Sequence, residues 1–242
     1  MKQLTFFLLL LTSCRLFGQD KESSTPDLKR VLIGFNVSPN ICYRTLKVND
    51  GSSLSAGIVK SRNENETVKL GYSAGLNMCL NVKRSFGIEA GIQYSNTGFR
   101  SKMMILNPLQ PDPFVPNRAK SIYNFHYVDI PIKANFTTDE GKIRVFTSLG
   151  LTANFFIKET VTRVLVFSDH TDRKTRLTSE SDSYNKLNFS PTMSVGIDYR
   201  INEKMNLRIE PTFRYGVLKI IDTPVTGYLY SGGINVVYYY GL

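Results

Sequence analysis

The stretch LNFSPTMSVGIDYRI, residues 187–201, decides the fold. Leu187, Phe189, Met193, Val195, Ile197, Tyr199 and Ile201 share one parity, and Asn188, Ser190, Thr192, Ser194, Gly196, Asp198 and Arg200 share the other. Successive side chains of a strand point to opposite faces, so a period of two marks a strand with one apolar and one polar face. The polar row here is mostly small: Gly, Ser, Thr and Asn rather than the Lys and Glu of a water-washed sheet.

The same pattern runs outward in both directions. Met205, Leu207, Ile209, Phe213 and Tyr215 oppose Asn206, Arg208, Glu210, Thr212 and Arg214, and Ile234, Val236, Tyr238, Tyr240 and Leu242 form one face of the last segment. Upstream, the apolar rows run from Ile143 to Ile157, Val128 to Phe136, Phe86 to Tyr94, Leu70 to Val82 and Ile33 to Tyr43. The count is eight strands. Lys83–Ser85, Thr137–Lys142 and Asn202–Lys204 read as short turns, whereas Thr45–Lys69, Arg100–Lys120 and Lys158–Lys186 read as long polar loops. The connection near Asp222–Thr226 is short but falls in a long-loop slot.

Period two fits either a soluble barrel with its apolar face inward or a membrane barrel with that face outward. The apolar rows carry no Lys, Arg, Asp or Glu, and tyrosines gather near segment ends at Tyr43, Tyr94, Tyr199, Tyr215, Tyr228, Tyr238 and Tyr240. An uncharged band between aromatic girdles suits lipid. The charges on the polar rows, Glu89, Asp129, Lys133, Arg144, Asp198, Arg200, Arg208, Glu210 and Arg214, are mixed in sign. Enclosed together they would pair, and Arg208, Arg214, Glu210, Asp129 and Lys133 are expected to plug the lumen, since eight strands leave an interior that side chains just fill. The fold class expected is all-β: an eight-stranded antiparallel up-and-down transmembrane β-barrel. Pro39, Pro131, Pro191 and Pro211 fall inside strands. A closed barrel has no edge for them, so bulges or strand ends are expected beside each.

Composition agrees. The chain has 242 residues, is 42% hydrophobic and carries 3 Cys, 2 His and no Trp. That apolar share excludes a disordered chain, and the Cys and His counts exclude a disulfide-dense scaffold and a histidine-rich metal site. Residues 1–19 read as a signal peptide: Lys2 is the positive region, Phe6–Leu11 the apolar run, and Gly18-Gln19 the cleavage site. Leu11-Thr12-Ser13-Cys14 also resembles a lipobox, which leaves lipidation at Cys14 as the alternative to cleavage after Gln19. Residues 20–30 read as a short periplasmic tether and residues 31–242 as the barrel domain. Loss of Lys2 and Arg15 lowers the formal charge from +10 to +8. An exported basic protein meets anionic lipid headgroups rather than nucleic acid, though a solvated surface explains the balance as well.

The stretch Tyr127-Val128-Asp129-Ile130-Pro131-Ile132-Lys133 resembles the Tyr-hydrophobic-acidic-Ile-Pro-Leu-Lys segment of the PorT-like outer-membrane β-barrel family of Gram-negative bacteria, with Ile132 in place of the usual Leu. Gly87–Gly91 (Gly-x-Glu-x-Gly) and the Gly-rich last strand are similar to it as well. The resemblance covers about Val31–Leu242. It implies an eight-stranded outer-membrane barrel and no catalytic residues, so none are carried over. The alternating C-terminus up to Leu242 resembles the recognition signal of the barrel-insertion machinery.

Catalytic, cofactor and metal residues are expected to be none. His170 beside Asp169 and Asp172 would be the nearest thing to a base with an orienting carboxylate, yet it reads better as a polar loop. His126 falls at a strand start, on the apolar parity, and reads as interfacial. Cys42 and Cys79 point to the polar face. With Arg44 across from about Leu70, Cys42 faces Tyr72 and Cys79 faces Phe35, too far apart for a disulfide, so both are free. Arg100, Lys102, Arg118 and Lys120 bracket one loop and Arg163, Arg173, Lys174 and Arg176 punctuate another, where acids nearly balance them. Pro-rich Asn107–Pro113 is expected to form a rigid tip.

The functional expectation is a non-enzymatic outer-membrane barrel with a filled lumen and long extracellular loops, both termini periplasmic, serving structure, adhesion or partner contact. The alternatives are a narrow channel for small solutes and, further off, a membrane-embedded hydrolase. Expected partners are outer-membrane lipid, lipopolysaccharide as a further candidate, the barrel-insertion machinery and an envelope protein; nucleic acid is not among them.

Overall fold

The computed structural model describes residues 30–106, 115–138, 141–168, 171–179 and 183–242. The proposed signal peptide with Cys14, nearly all of the tether, the Asn107–Pro113 tip, Asp169 and His170 lie outside them. In chain order the elements are β1 (Val31–Val48), α1 (Ser53–Asn65), β2 (Glu66–Thr67), β3 (Lys69–Lys83), β4 (Phe86–Ser101), β5 (Met104–Ile105), β6 (Arg118–Thr138), β7 (Ile143–Val166), β8 (Arg173–Ser179), β9 (Leu187–Arg200), β10 (Met205–Tyr215) and β11 (Val225–Gly241).

All eleven strands belong to one antiparallel sheet. Eight of them close a ring. β1 pairs β3, β3 pairs β4, β4 pairs β6, β6 pairs β7, β7 pairs β9, β9 pairs β10, β10 pairs β11, and β11 returns to β1. A closed ring leaves no sheet edge to be satisfied by water, the condition for strands that cross lipid. Among the described residues no helix is long and apolar enough to cross a membrane. Both ends of the ring chain sit at the short-turn end: Leu242 donates its backbone N–H to Val31, and Gly241 to Lys204 in the β9–β10 turn.

The apolar rows point outward. Phe35 is 52% exposed, Val195 55% and Ile197 50%, while the intervening Asn36, Ser194 and Asp198 are buried. From Ile33 to Tyr43 the outward row of β1 covers roughly 25 Å of axis, at a rise of about 3.3 Å per residue and a tilt near 40°. Aromatics bound this band at both ends. Phe86 meets Phe136 at 5.3 Å near the short turns, and Tyr43, Tyr215 and Phe213 gather around Tyr230, with Tyr72 against Tyr94, toward the long loops.

Three expectations are corrected. First, Pro39, Pro131 and Pro211 need neither bulges nor strand ends. Beside Pro39 the β1–β11 ladder skips from Val37–Val236 to Asn40–Gly233 and resumes in the same register, while Pro39 still lies opposite Tyr72 of β3. Pro131 and Pro211 behave alike, each skipping one neighbour and keeping the other, and Pro191 lies just past the last β9–β10 pair. In an antiparallel ladder one residue's N–H and C=O face the same neighbour, so each proline forfeits bonds on one side only. Second, β1 and β3 are offset by three residues from the expected register: Cys42 lies opposite Lys69 and Cys79 opposite Leu32. Both cysteines are nonetheless free and buried, on the inner face.

Third, much of the expected loop is structured. β4, β6 and β7 continue past the apolar band, β8 takes the slot beside β7 that β9 holds below, and β2 and β5 extend the same sheet. Ile157 is an extra residue in β7, since His126 faces Lys158 and Tyr127 faces Phe156. Such a bulge exchanges the faces of every later β7 residue. The Thr45–Lys69 connection contains α1. Ser52 caps it by accepting the Leu54 N–H, and Asp50 accepts both the Ser52 N–H at 3.0 Å and the Ser55 hydroxyl at 2.8 Å. These bonds hold the exposed Asp50 carboxyl below its ordinary value.

Candidate functional site

The inward rows fill the lumen in tiers. The tier toward the short turns joins Arg144 to Asp198 (2.9 Å), Asp198 to Arg208 (3.2 Å), Arg208 to Glu89 (3.0 Å), Glu89 to Lys133 (2.8 Å) and Lys133 to Glu210 (2.9 Å). Three cations and three carboxylates cancel, and none of the six is more than 4% exposed. Amides and a hydroxyl complete the carboxylates: Asn135 and Asn77 donate to Glu89 at 3.0 and 3.2 Å, and Asn235 and Ser194 donate to Glu210 at 2.6 and 2.9 Å. The Arg208 guanidinium stacks 4.3 Å from the Phe146 centroid, beside Tyr239. Gly150 stands opposite Lys133, and a Cβ there would come within 2.7 Å of Lys133 Cγ, so the small residue makes room for the lysine stem.

A second tier holds Asp129. Asn154 donates to it at 2.7 Å, and Arg214, 3.8 Å away, also reaches Gln93 at 3.3 Å. The five charges expected to plug the lumen are therefore all within it. Arg144, Glu89 and Asp198, which the sequence places on the inward rows but not in the expected plug, complete the network.

Above this tier lies a polar cavity of about 50 Å³, lined by Asn40, Ser95, Asp129, Asn188, Ser190 and Arg214 among others. It has room for a few waters. It is roofed by an apolar cluster of Phe99, Phe125, Tyr127, Ile220 and Leu229, with Tyr123, Phe156 and Tyr184 packed against it. Because β6 continues upward, Phe125 and Tyr127 stay on its inward parity, and the bulge at Ile157 keeps β7 aligned with them. The cluster divides the small cavity from an upper vestibule of about 260 Å³, lined by Arg44, Glu66, Tyr123, Glu159, Tyr184 and Val225 among others.

In the vestibule the Arg44 guanidinium lies 3.5 Å over the Phe99 ring and makes a two-point ion pair with Glu66, at 2.5 and 3.0 Å. The Tyr184 hydroxyl donates to Glu159 at 2.6 Å. Burial and that carboxylate push the Tyr184 phenol above its ordinary value, which disfavours it as a neutral-pH base or nucleophile. His126 is buried at the interface on the outward parity, its Nδ1 2.5 Å from the Tyr94 hydroxyl, with Asn96 at 3.3 Å; Lys69 also bonds Asn96. Among the described residues no three His, Cys, Asp or Glu side chains are grouped to hold a metal ion. The charged groups of the lumen network and the Arg44–Glu66 and Tyr184–Glu159 pairs of the vestibule are engaged with one another, an arrangement that occludes the lumen.

An outward apolar belt around a closed, salt-bridged ring is what an outer-membrane barrel requires. The sequence profile of the outer membrane protein beta-barrel domain matches residues 17–222. The chain belongs to the outer membrane protein beta-barrel domain family. Membership places it in the outer membrane. The profile stops before β11, the strand that closes the ring. No curated protein matches the chain. Among solved structures it is similar to OprG from Pseudomonas aeruginosa (11% identity, 90% of this chain and 100% of that one, TM-score 0.42) and to Neisserial surface protein A (11% identity, 86% and 95%, TM-score 0.40). It is also similar to the outer membrane protease OmpT from Escherichia coli (9% identity, 91% and 99%, TM-score 0.42). Likenesses this low transfer no residue roles to the family member described here.

Proposed function

We propose that this barrel is a non-enzymatic envelope protein whose lumen is closed and whose long-loop end makes the contacts, in a structural, adhesive or partner-binding role. One observation carries the reading. The six-membered, charge-balanced network spans the lumen, and the Phe99–Phe125–Leu229 cluster blocks it a second time. A buried network in which each charge has an opposite partner resists opening, because separating one pair strands a charge at a cost of about 3–5 kcal/mol.

The finer placement follows from the sequence. The Tyr127–Lys133 stretch supports a PorT-like branch of the family, and residues 1–19 support export by a signal peptide with both barrel ends periplasmic. The vestibule, with its aromatic floor and Arg44–Glu66 pair, then opens to the outside as the surface for a partner in the envelope. Outer-membrane lipid surrounds the belt, and the insertion machinery reads the alternating C-terminal strand during biogenesis.

Planar-bilayer recording tests the closed lumen. Purified protein is expected to give no steady conductance. Reproducible ion-conducting steps from the wild-type protein would establish the channel instead.

A further inference from the structure

We propose that the outward face of the strand extension is a docking surface for the phosphorylated headgroups of outer-leaflet glycolipid. The inference rests on the outer-membrane placement and goes beyond it.

Cross-strand register sorts the loop charges by face. Arg100, Ile122, Thr162 and Arg176 form one row across β4, β6, β7 and β8. Lys120, Val164 and Lys174 form the next, Arg118 and Val166 the one beyond, and His126 with Lys158 the row nearest the apolar belt. These rows share the outward parity, because the alternate rows hold Phe99, Tyr123, Phe125 and Glu159, which face the cluster and vestibule. Six cations thus stand on one sheet face: Arg100, Arg118, Lys120, Lys158, Lys174 and Arg176. Among the described residues this face carries no Asp or Glu. The acids of the same extension point inward, Glu66 to Arg44 and Glu159 to Tyr184.

The occupant follows from charge and position. The face is continuous with the lipid-facing Tyr94, Val128 and Phe155 of the same strands. It begins one row above them and extends roughly 20 Å beyond, at a rise of about 3.3 Å per residue and a tilt near 40°. A molecule seated on it has its acyl chains against the belt and its anionic groups against the cations. Lipid-anchored phosphate fits both halves; free phosphate fits only one. Cationic side chains near an anionic membrane surface attract it additively, so several together suffice for selective binding.

The test uses fluorescent diphosphoryl lipid A in mixed detergent micelles, read by anisotropy with the purified protein. Wild type is expected to bind it at least about tenfold more tightly than dephosphorylated lipid A, with the difference shrinking as salt rises. The variant R118Q/K120Q/K174Q/R176Q should lose about tenfold or more, whereas R163Q/R173Q, on the inward parity, should bind like wild type. Equal binding of the two lipids by wild type overturns the proposal, as does an equal loss in the inward variant. Displacement of the lipid by an equal concentration of inorganic phosphate overturns the lipid source. Heat-modifiable gel migration of the same samples separates the two readings. A folded barrel without phosphate preference defeats this proposal alone, and a chain that never migrates as a barrel defeats the placement beneath it.

Discussion

Replacing Glu89 by Gln keeps the shape of the central side chain and removes one charge from the balanced network. Glu89 is 1% exposed and accepts from Lys133, Arg208, Asn135 and Asn77. In E89Q the tier carries a net positive charge buried away from bulk solvent. Removing one partner of a buried pair costs about 3–5 kcal/mol. Lys133 keeps Glu210 and Arg208 keeps Asp198, which puts the expected cost near the lower end, about 3 kcal/mol. With a denaturant slope of about 1–3 kcal/mol per molar, the urea midpoint falls by roughly 1–3 M. The double variant E89Q/K133Q restores neutrality, leaving Arg144 and Arg208 against Asp198 and Glu210. It should cost less than the two single changes added together, by about 1–3 kcal/mol. The chain has no Trp, so unfolding from lipid vesicles is followed by far-UV circular dichroism and by the gel shift of the heated sample. An unchanged midpoint in E89Q, or strict additivity in the double variant, would refute the idea that charge balance holds the lumen closed.

Other consequences are local. Gly98 has φ +142, and a Cβ there would lie 2.0 Å from the Tyr123 carbonyl oxygen, so G98A should destabilise the barrel by about 1–3 kcal/mol in the same unfolding assay. Cys42 and Cys79 are each 1% exposed, so both should resist maleimide in the folded barrel, react once it is unfolded, and form no bridge with each other under mild oxidant. Asp50 has a depressed pKa in the fold, so its support of α1 is complete above the ordinary carboxylate value near about 4 and is lost as pH falls through the lower, folded value. Hydrogen exchange at the start of α1 should quicken in D50A at pH 7, with the difference from wild type closing in acid.

The sequence carried the belt and the eight segments that close the ring because alternation is local: each residue declares its own face. It carried five of the plug charges for the same reason. Register is not local. The offset of three between β1 and β3 is set by the whole ring, and no residue near Cys42 or Cys79 announces it. The strand extensions were hidden by polarity, since Arg118–Lys120 and Lys158–Val166 read as loop when an apolar row is the criterion. One extra residue, Ile157, separates the two halves of β7 and exchanges its faces, which is why near-neutral loop charge became an acid-free outer face only once the pairing was known. The helix α1 has no apolar stripe, and its one local sign was the Asp50–Ser52 cap. The prolines misled because an antiparallel ladder tolerates a gap on one side while the other holds register.

The central claim is that the apolar rows meet acyl chains and the small polar rows are enclosed. Single cysteines at 192 through 197 of β9, in a background lacking the native ones, would carry spin labels in lipid bilayers, read by collision with oxygen and with a water-soluble nickel complex. The account predicts strict alternation, with 193, 195 and 197 open to oxygen in the bilayer and 192, 194 and 196 shielded from it. High oxygen access at the even positions, or no alternation at all, would contradict it.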